Sequence, residues 1–469
     1  MSKLELKPKV INNNNNNNES NHLFKKEQIK LLIKEVLYNS LAQAIIKIFQ
    51  TPHITLKLFL ATFVLVSTGL ASFLVIQSFL EYFSFGVSTM SRTINENPTL
   101  FPKVTICNFN PFTTEYAFNM IQLNVTSGNN LSDEEKKRLG HDLNDILLEC
   151  SFNMKPCDLA DFVWSFDQTY GNCYTFNSVN ENRTLKQSTV SDIYFGLDLT
   201  LYINIYEKIL KFRKLTTGMG AIIRIGNSSY MTYYSNGGTF ITPGHQTYLS
   251  VEREFKSILP KPYSDCEIDS NSAVSRKDSG LYNLIGPTEY AYTQQLCFTQ
   301  CFQEFVKRNY NCTMPYVVSF FNVSTCNWDY SYLVEILNDF ERKNFLSEVC
   351  LPSCPLECNK TLYKVYTSSV HLVGEQFISA IQRNPKLTSD FINRSIDSMT
   401  ARESFVKVHI NYETLSYTIT SESPQMTVVS LLASIGGHLG LFLGVNFFSI
   451  WEIIEVIMEI MFILRERKR

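Results

Sequence analysis

The stretch from Ser423 to Arg469 constrains this chain most. From Ser423 to Trp451 it carries no formal charge beyond what the imidazole of His438 can hold. That run exceeds the roughly 20 apolar residues a membrane helix needs. It makes a poor plain anchor, because Gly436, Gly437, Gly440 and Gly444 crowd its middle. Each interior glycine costs a helix about 1 kcal/mol against alanine. Gly436, Gly440 and Gly444 recur every fourth residue and share one face, where small residues let helices approach closely in lipid. Polar groups follow at Asn446, Ser449, Glu452, Glu455 and Glu459. The glutamates fall at steps of three and four, one helical stripe, and intramembrane carboxylates usually line a bundle interior or a water path. Two readings compete: a single-pass anchor that dimerises through its glycines, and a pore-lining helix whose copies from several chains form rings of polar groups. The glutamate stripe favours the pore.

A second hydrophobic run, Leu58 to Leu80, is uncharged and bounded by Lys57 and Glu81. It is too long and too far from Met1 for a cleaved signal peptide, and it reads as an uncleaved first span. Lys25, Lys26, Lys30, Lys34, Lys47 and Lys57 precede it, and Arg465, Arg467, Lys468 and Arg469 end the chain. Cationic flanks of this kind place both termini in the cytoplasm. The expected organisation is a disordered Asn-rich cytoplasmic tail at 1–24, a helical pre-span segment at 25–53 and a first membrane helix at 54–81. An extracellular ligand-sensing domain at 82–422, a pore-lining helix at 423–462 and a short basic tail at 463–469 complete it. The tail carries seven consecutive asparagines, Asn12 to Asn18, a low-complexity run without an assigned role. Net charge is −2, so nothing points to nucleic acid.

All twelve cysteines lie between Cys107 and Cys358. An even count confined to one segment suits a disulfide framework made in the secretory pathway. Zinc is the competing reading of Cys297-x3-Cys301 and Cys350-x3-Cys354-x3-Cys358, and extracellular placement disfavours it. Eight glycosylation sequons share the segment, at Asn124, Asn130, Asn182, Asn227, Asn311, Asn322, Asn359 and Asn393. Residues 131–149 read as one amphipathic helix with Ser132 as its cap. Thr200 to Ile205 and Ala221 to Ile225 read as strands, Asn236-Gly237-Gly238 as a turn. Val406, Val408 and Ile410 alternate with Lys407 and His409, the pattern of a half-buried strand. No nucleophile elbow or HExxH pattern points to an enzyme, and His141, His245, His371 and His409 read as structural.

Ser434-Ile-Gly-Gly-His-Leu-Gly-Leu-Phe-Leu-Gly-Val-Asn446, followed by Glu452, resembles the second membrane span of the degenerin/epithelial sodium channel family. Its GGxxGLFxG tract is matched at Gly436, Gly437, Gly440, Leu441, Phe442 and Gly444, while Asn446 replaces the family's serine. Phe101-Pro-Lys-Val-Thr-Ile-Cys-Asn108, Gly171-Asn-Cys-Tyr-Thr-Phe-Asn177, Leu259 to Cys266 and the cysteine-dense 289–358 also resemble family landmarks. The resemblance covers roughly Leu56 to Glu459.

The resemblance implies an α+β membrane protein, with two membrane helices flanking a large disulfide-rich extracellular domain of central β-sheet or barrel and peripheral helices, assembled as a trimer. It implies an amiloride-sensitive cation channel passing Na+, with no cofactor and no metal. Its selectivity belt would be Gly444, Val445 and Asn446, with Ala433, Gly436, Gly437, Gly440, Glu452 and Glu455 as pore and gate residues. Phe85 and Tyr263 would form an aromatic coupling pair. The implied disulfides are Cys107–Cys173, Cys150–Cys157, Cys266–Cys358, Cys297–Cys354, Cys301–Cys350 and Cys312–Cys326. The family's His-Gly pair at the cytoplasmic pore mouth falls on Gln43-Ala44. Two altered signatures, there and at Asn446, favour partnership with homologous subunits in a heterotrimer within the lipid bilayer. Acid-sensing relatives carry paired histidines where this chain has Gly86 and Val87, which favours an extracellular peptide ligand over protons. Proton, mechanical or constitutive opening are the alternatives within the family. An ATP-gated two-span channel or a two-span receptor are those outside it.

Overall fold

The structure is a computed structural model. It describes residues 51–122, 132–167, 169–178, 184–203, 218–227, 238–267, 280–285, 291–314, 317–326, 330–372 and 404–444, with a few isolated positions besides. Two compact units emerge: residues 1–88 with 424–469, and residues 89–423.

In the first unit a single helix, Ile54–Phe83, runs for 30 residues, about 45 Å at 1.5 Å per residue. Its apolar side chains, among them Phe59, Leu65, Phe73 and Leu80, point outward all round. A helix apolar on every face needs an apolar medium, and this one is long and apolar enough to cross a membrane. It extends two residues past the expected end at 81. A shorter apolar helix, Val428–Leu443, packs on it. Ala71 and Ser78 of the first helix and Leu431 of the second are the buried positions of this pair.

Beside two two-stranded pairs, Thr99–Leu100 with Gln187–Ser188 and Cys266–Glu267 with Leu356–Glu357, the described residues of the second unit form two large sheets. In chain order their strands are β1 (Val87–Asn95), β2 (Lys103–Asn108), β3 (Leu147–Phe152), β4 (Lys155–Pro156), β5 (Phe162–Asp167) and β6 (Gly171–Phe176). Then come β7 (Leu197–Tyr202), β8 (Ala221–Gly226), β9 (Thr239–Ile241), β10 (His245–Ser257), β11 (Asn359–His371) and β12 (Phe405–Pro424). The seven-stranded sheet runs β11-β10-β12-β7-β3-β4, with β1 paired to β12, and the five-stranded sheet runs β9-β8-β2-β6-β5. The expected strands at 200–205 and 221–225 are β7 and β8, the first described only to Ile203. Of the expected turn, only Gly238 is described.

Leu197, Leu199 and Leu201 of β7 meet Val406, Val408 and Ile410 of β12 in one core with Phe101, Ile106 and Phe176. Side chains of this size contribute about 1.5–3 kcal/mol each when fully buried. The alternation in β12 is as expected on its apolar face, where Val406, Val408 and Ile410 are fully buried. The other face departs from expectation. His409 is also buried, 5% exposed, its ring 5.9 Å from that of Tyr248 on neighbouring β10. Desolvation there holds the His409 imidazole below its usual pKa.

The single helix expected over 131–149 is a second departure. Ser132 does cap a helix and forms a full capping box with Glu135, but that helix spans only Asp133–Lys137. Asn172 Nδ2 donates to the Lys137 carbonyl at 2.8 Å and to that of His141, occupying acceptors a continuing helix would use. Gly140 lies so close that a Cβ would sit 3.2 Å from the Pro111 carbonyl oxygen. Asp142 then caps a separate short helix, Leu143–Ile146, and Leu147 enters β3 to pair with β7.

Candidate functional site

Thr427 Oγ1 accepts from the Ser430 N–H at 3.1 Å and opens the second apolar helix. At its other end Gly444 has φ 67° and ψ 18°. This left-handed conformation costs an L-residue about 1–2 kcal/mol and glycine almost nothing. The Gly444 N–H still reaches the Gly440 carbonyl at 3.1 Å. The helix therefore stops at the first residue of the expected selectivity tract. Ala433 is exposed, and a Cβ added at Gly436, Gly437 or Gly444 would meet nothing within 4 Å. The glycine positions are thus open in the single chain. Val445, Asn446, Glu452 and Glu455 lie outside the described residues, as do Gln43 and Ala44.

Past the first helix, Phe85 holds a left-handed φ of 50°, and its ring lies 6.5 Å from Tyr82 and 6.4 Å from Phe83. A non-glycine residue there stores strain of a kind that clusters at functional positions. In the second unit, Tyr263 sits in a turn closed by its N–H to the Pro260 carbonyl at 3.0 Å. Each member of the expected pair thus has its own fixed frame within its own unit.

All twelve cysteines are paired, in the six combinations that the resemblance implies. With every thiol so used, the zinc reading of the Cys-x3-Cys spacings falls away. Cys297 and Cys301 lie on the helix Gln294–Tyr310, which Thr293 caps at its start and left-handed Asn311 at its end. Bridges from these two reach Cys354 and Cys350. Asn311, Asn322 and Asn359 are exposed, Asn227 half-buried; the sequons at Asn124, Asn130, Asn182 and Asn393 lie outside the described residues.

Sequence reasoning missed two polar devices. Gln300 and Gln303, one turn apart on that helix, are completely buried. Gln303 receives the Met314 N–H at 2.7 Å and donates to the carbonyls of Met314 and Val317. Gln300 receives the Phe320 N–H at 3.0 Å and donates to the Val318 carbonyl at 2.8 Å. Two glutamines three apart among the cysteine and apolar positions of that helix were the available signal. The other device is Glu254 on β10, which binds Lys364 of β11 at 2.8 Å and Thr420 of β12 at 3.0 Å. These bonds, Lys364 foremost, hold its carboxyl below the usual range. They tie three adjacent strands together, one of which, β12, leads directly in sequence towards the Val428–Leu443 helix.

A helix fit to cross a membrane, a glycine-terminated apolar helix and a six-disulfide β-rich domain define a membrane-anchored protein built to hold shape. The chain belongs to the amiloride-sensitive sodium channel family, whose sequence model matches residues 36–132 and 118–456. It is 27% identical over 332 residues to epithelial sodium channel subunit gamma-2 of Xenopus laevis, covering 70% of this chain and 47% of that protein. It is 28% identical to the alpha subunit of Pan troglodytes, covering 74% of this chain and 47% of that one, and 29% to that of Mus musculus, covering 68% and 44%. The chain spans about half the length of these relatives, which are named as channel subunits and not as enzymes. A solved proton-activated chloride channel aligns at TM-score 0.28 and 6% identity over 86% of this chain and 98% of that one, too low to bear on the fold.

Proposed function

We propose that this chain is one subunit of a trimeric, amiloride-sensitive, sodium-permeable channel of the plasma membrane, opened by an extracellular ligand. The observation that carries the reading is the helix break at Gly444, inside the region matched by the family. In it, Val428–Leu443 is the outer half of a second, pore-lining span, and both termini are cytoplasmic. Copies of Gly444, Val445 and Asn446 form the narrow belt, where backbone carbonyls replace part of sodium's hydration shell. Glu452 and Glu455 raise cation concentration at the inner mouth. Ala433, Gly436, Gly437 and Gly440 keep the walls small enough for close packing. No cofactor enters.

The ligand in this reading is a short peptide, and the neighbouring subunits are homologues. Support for the peptide is the Gly86-Val87 sequence just past the first span, which lacks a histidine proton switch. A ligand moves the gate only through unequal affinity for its two states. The disulfide-stapled helix is stiff enough to transmit that difference, and Phe85 and Tyr263 are the coupling residues of the proposal.

The test is current recorded from cells expressing the chain alone and with homologous subunits, under acid steps and under a panel of amidated peptides. Expected are peptide-evoked, amiloride-blocked currents that collapse when a large organic cation replaces sodium, and that need a homologous subunit. Reversal potentials that follow chloride would overturn the channel assignment. Large currents at acid pH with none from peptides would overturn the ligand, and robust current from this chain alone the heterotrimer. Unchanged evoked current in Tyr263→Ala would remove the coupling pair.

A further inference from the structure

The first residue of β10 and the last residue of β11 are both histidines, and they face each other. His245 and His371 are direct antiparallel partners, with ring centroids 4.2 Å apart. We propose that this pair is a binding site for a borderline-soft divalent transition-metal ion such as Zn2+, one per chain, independent of the channel reading.

Three features of the site point to a ligand rather than to simple packing. First, His245 Nδ1 lies 2.9 Å from the Pro243 carbonyl oxygen. A carbonyl only accepts, so Nδ1 carries the hydrogen and the neutral ring keeps its lone pair on Nε2. A backbone carbonyl on the far nitrogen is the usual support of a metal-bound histidine. Second, the backbone around the pair is held. The Gly244 N–H donates to the Phe405 carbonyl, and the Leu372 N–H to the Gly244 carbonyl, each at 2.8 Å. Third, His371 is exposed and His245 half-buried, so an ion and its water can reach both.

The spacing fits. Two nitrogens at about 2.0–2.1 Å from a tetrahedral zinc stand about 3.4 Å apart. With the His245 ring held by Pro243, rotation of the exposed His371 side chain brings a nitrogen to that distance from a ring whose centroid is 4.2 Å away. Among the described residues no cluster of three or more histidine, cysteine or acidic groups completes the coordination. Water fills the open positions, which sets the site apart from a closed structural zinc site and makes it reversible. Imidazole selects zinc, copper or nickel over calcium and magnesium, which prefer oxygen. Protons compete, because only the neutral rings bind. An ion held here would pin the beginning of β10 to the end of β11.

The test uses the full chain purified in detergent, titrated with ZnCl2 at pH 7.4 by calorimetry, with CaCl2 as control. Expected is one saturable zinc site per chain, weakened at least about tenfold in both His245→Ala and His371→Ala, with no response to calcium. His371→Ala should keep the metal-free melting temperature, because that side chain is exposed. His245→Gln keeps a polar side chain at the half-buried position should alanine disturb folding. Zinc binding that survives either substitution, or no saturable binding in the unaltered chain, would overturn the site.

Discussion

The Gly86 carbonyl accepts the backbone N–H of Gln425 at 2.9 Å. This bond joins the turn after Ile54–Phe83 to the residues just before Val428–Leu443, and the Gln425 side chain adds a 3.4 Å contact to Glu81. Gln425→Pro deletes the donor, whereas Gln425→Ala keeps it. A net hydrogen bond contributes about 0.5–1.5 kcal/mol, enough to shift a gating equilibrium several-fold. In the channel reading, the proline variant should change evoked current per surface-labelled subunit, with the alanine variant close to the unaltered chain. Equal behaviour of the two would assign no role to the backbone bond.

Gly444 gives a second prediction. A Cβ there meets no atom of the same chain within 4 Å, so within one chain Gly444→Ala acts through backbone conformation, while in the belt of the channel reading the added methyl groups also narrow the ring. The left-handed φ of 67° then carries a strain of about 1–2 kcal/mol. In the channel reading, sodium-over-potassium preference should fall by several-fold, with surface expression largely kept. Reversal potentials with sodium outside and potassium inside measure it.

Much of this architecture was legible in the chain. The Leu58–Leu80 run required an apolar helix, whereas the pore-lining helix expected over 423–462 begins only at Val428 and is broken by left-handed Gly444. Ser132 was legible as a cap, yet the length of its helix was not. Leu139, Leu143, Ile146 and Leu147 fit a helical period, and all four are buried. Their burial is achieved instead by a turn, a short helix and a strand, because Asn172 takes the carbonyls of Lys137 and His141 and β7 offers a pairing edge. Periodicity reports which side chains face the core, not which distant backbone competes for them. The pairing of His245 with His371 was hidden for the same reason: 126 positions apart in sequence, they meet only through the β10–β11 register.

Gln303 tests the polar scaffold under the cysteine-stapled helix. Gln303→Leu keeps the volume and strands the buried Met314 N–H and carbonyl, and removes the donor to the half-buried Val317 carbonyl. A buried group left without its partner costs about 1–3 kcal/mol, so a total of about 2–4 kcal/mol is expected. The Cys312–Cys326 bridge lies in the same cluster and should survive, since the loss is of hydrogen bonds and not of geometry. Thermal unfolding of the purified chain should show a clear drop in melting temperature with all disulfides intact. A melting temperature within one degree of the unaltered protein would remove the role.

Lys103 makes stability depend on alkaline pH. It lies on β2, 6% exposed, and burial lowers its pKa from 10.5 to about 8. The sign follows from proton counts. Below pH 8 the ammonium is charged in both folded and unfolded chain, and the penalty for burying the charge is present in full. Between pH 8 and 10.5 the unfolded chain binds more protons than the folded one, so this contribution to stability rises with pH. A lowering of that size corresponds to at most roughly 3 kcal/mol. Lys103→Met keeps the length of the side chain and removes the charge. It should raise the melting temperature of the purified chain at pH 7, and the advantage should shrink steadily towards pH 10. Cysteine chemistry does not interfere at these pH values, because no free thiol is present. An advantage of the same size at pH 7 and pH 10 would mean that the gain comes from packing and not from the buried charge.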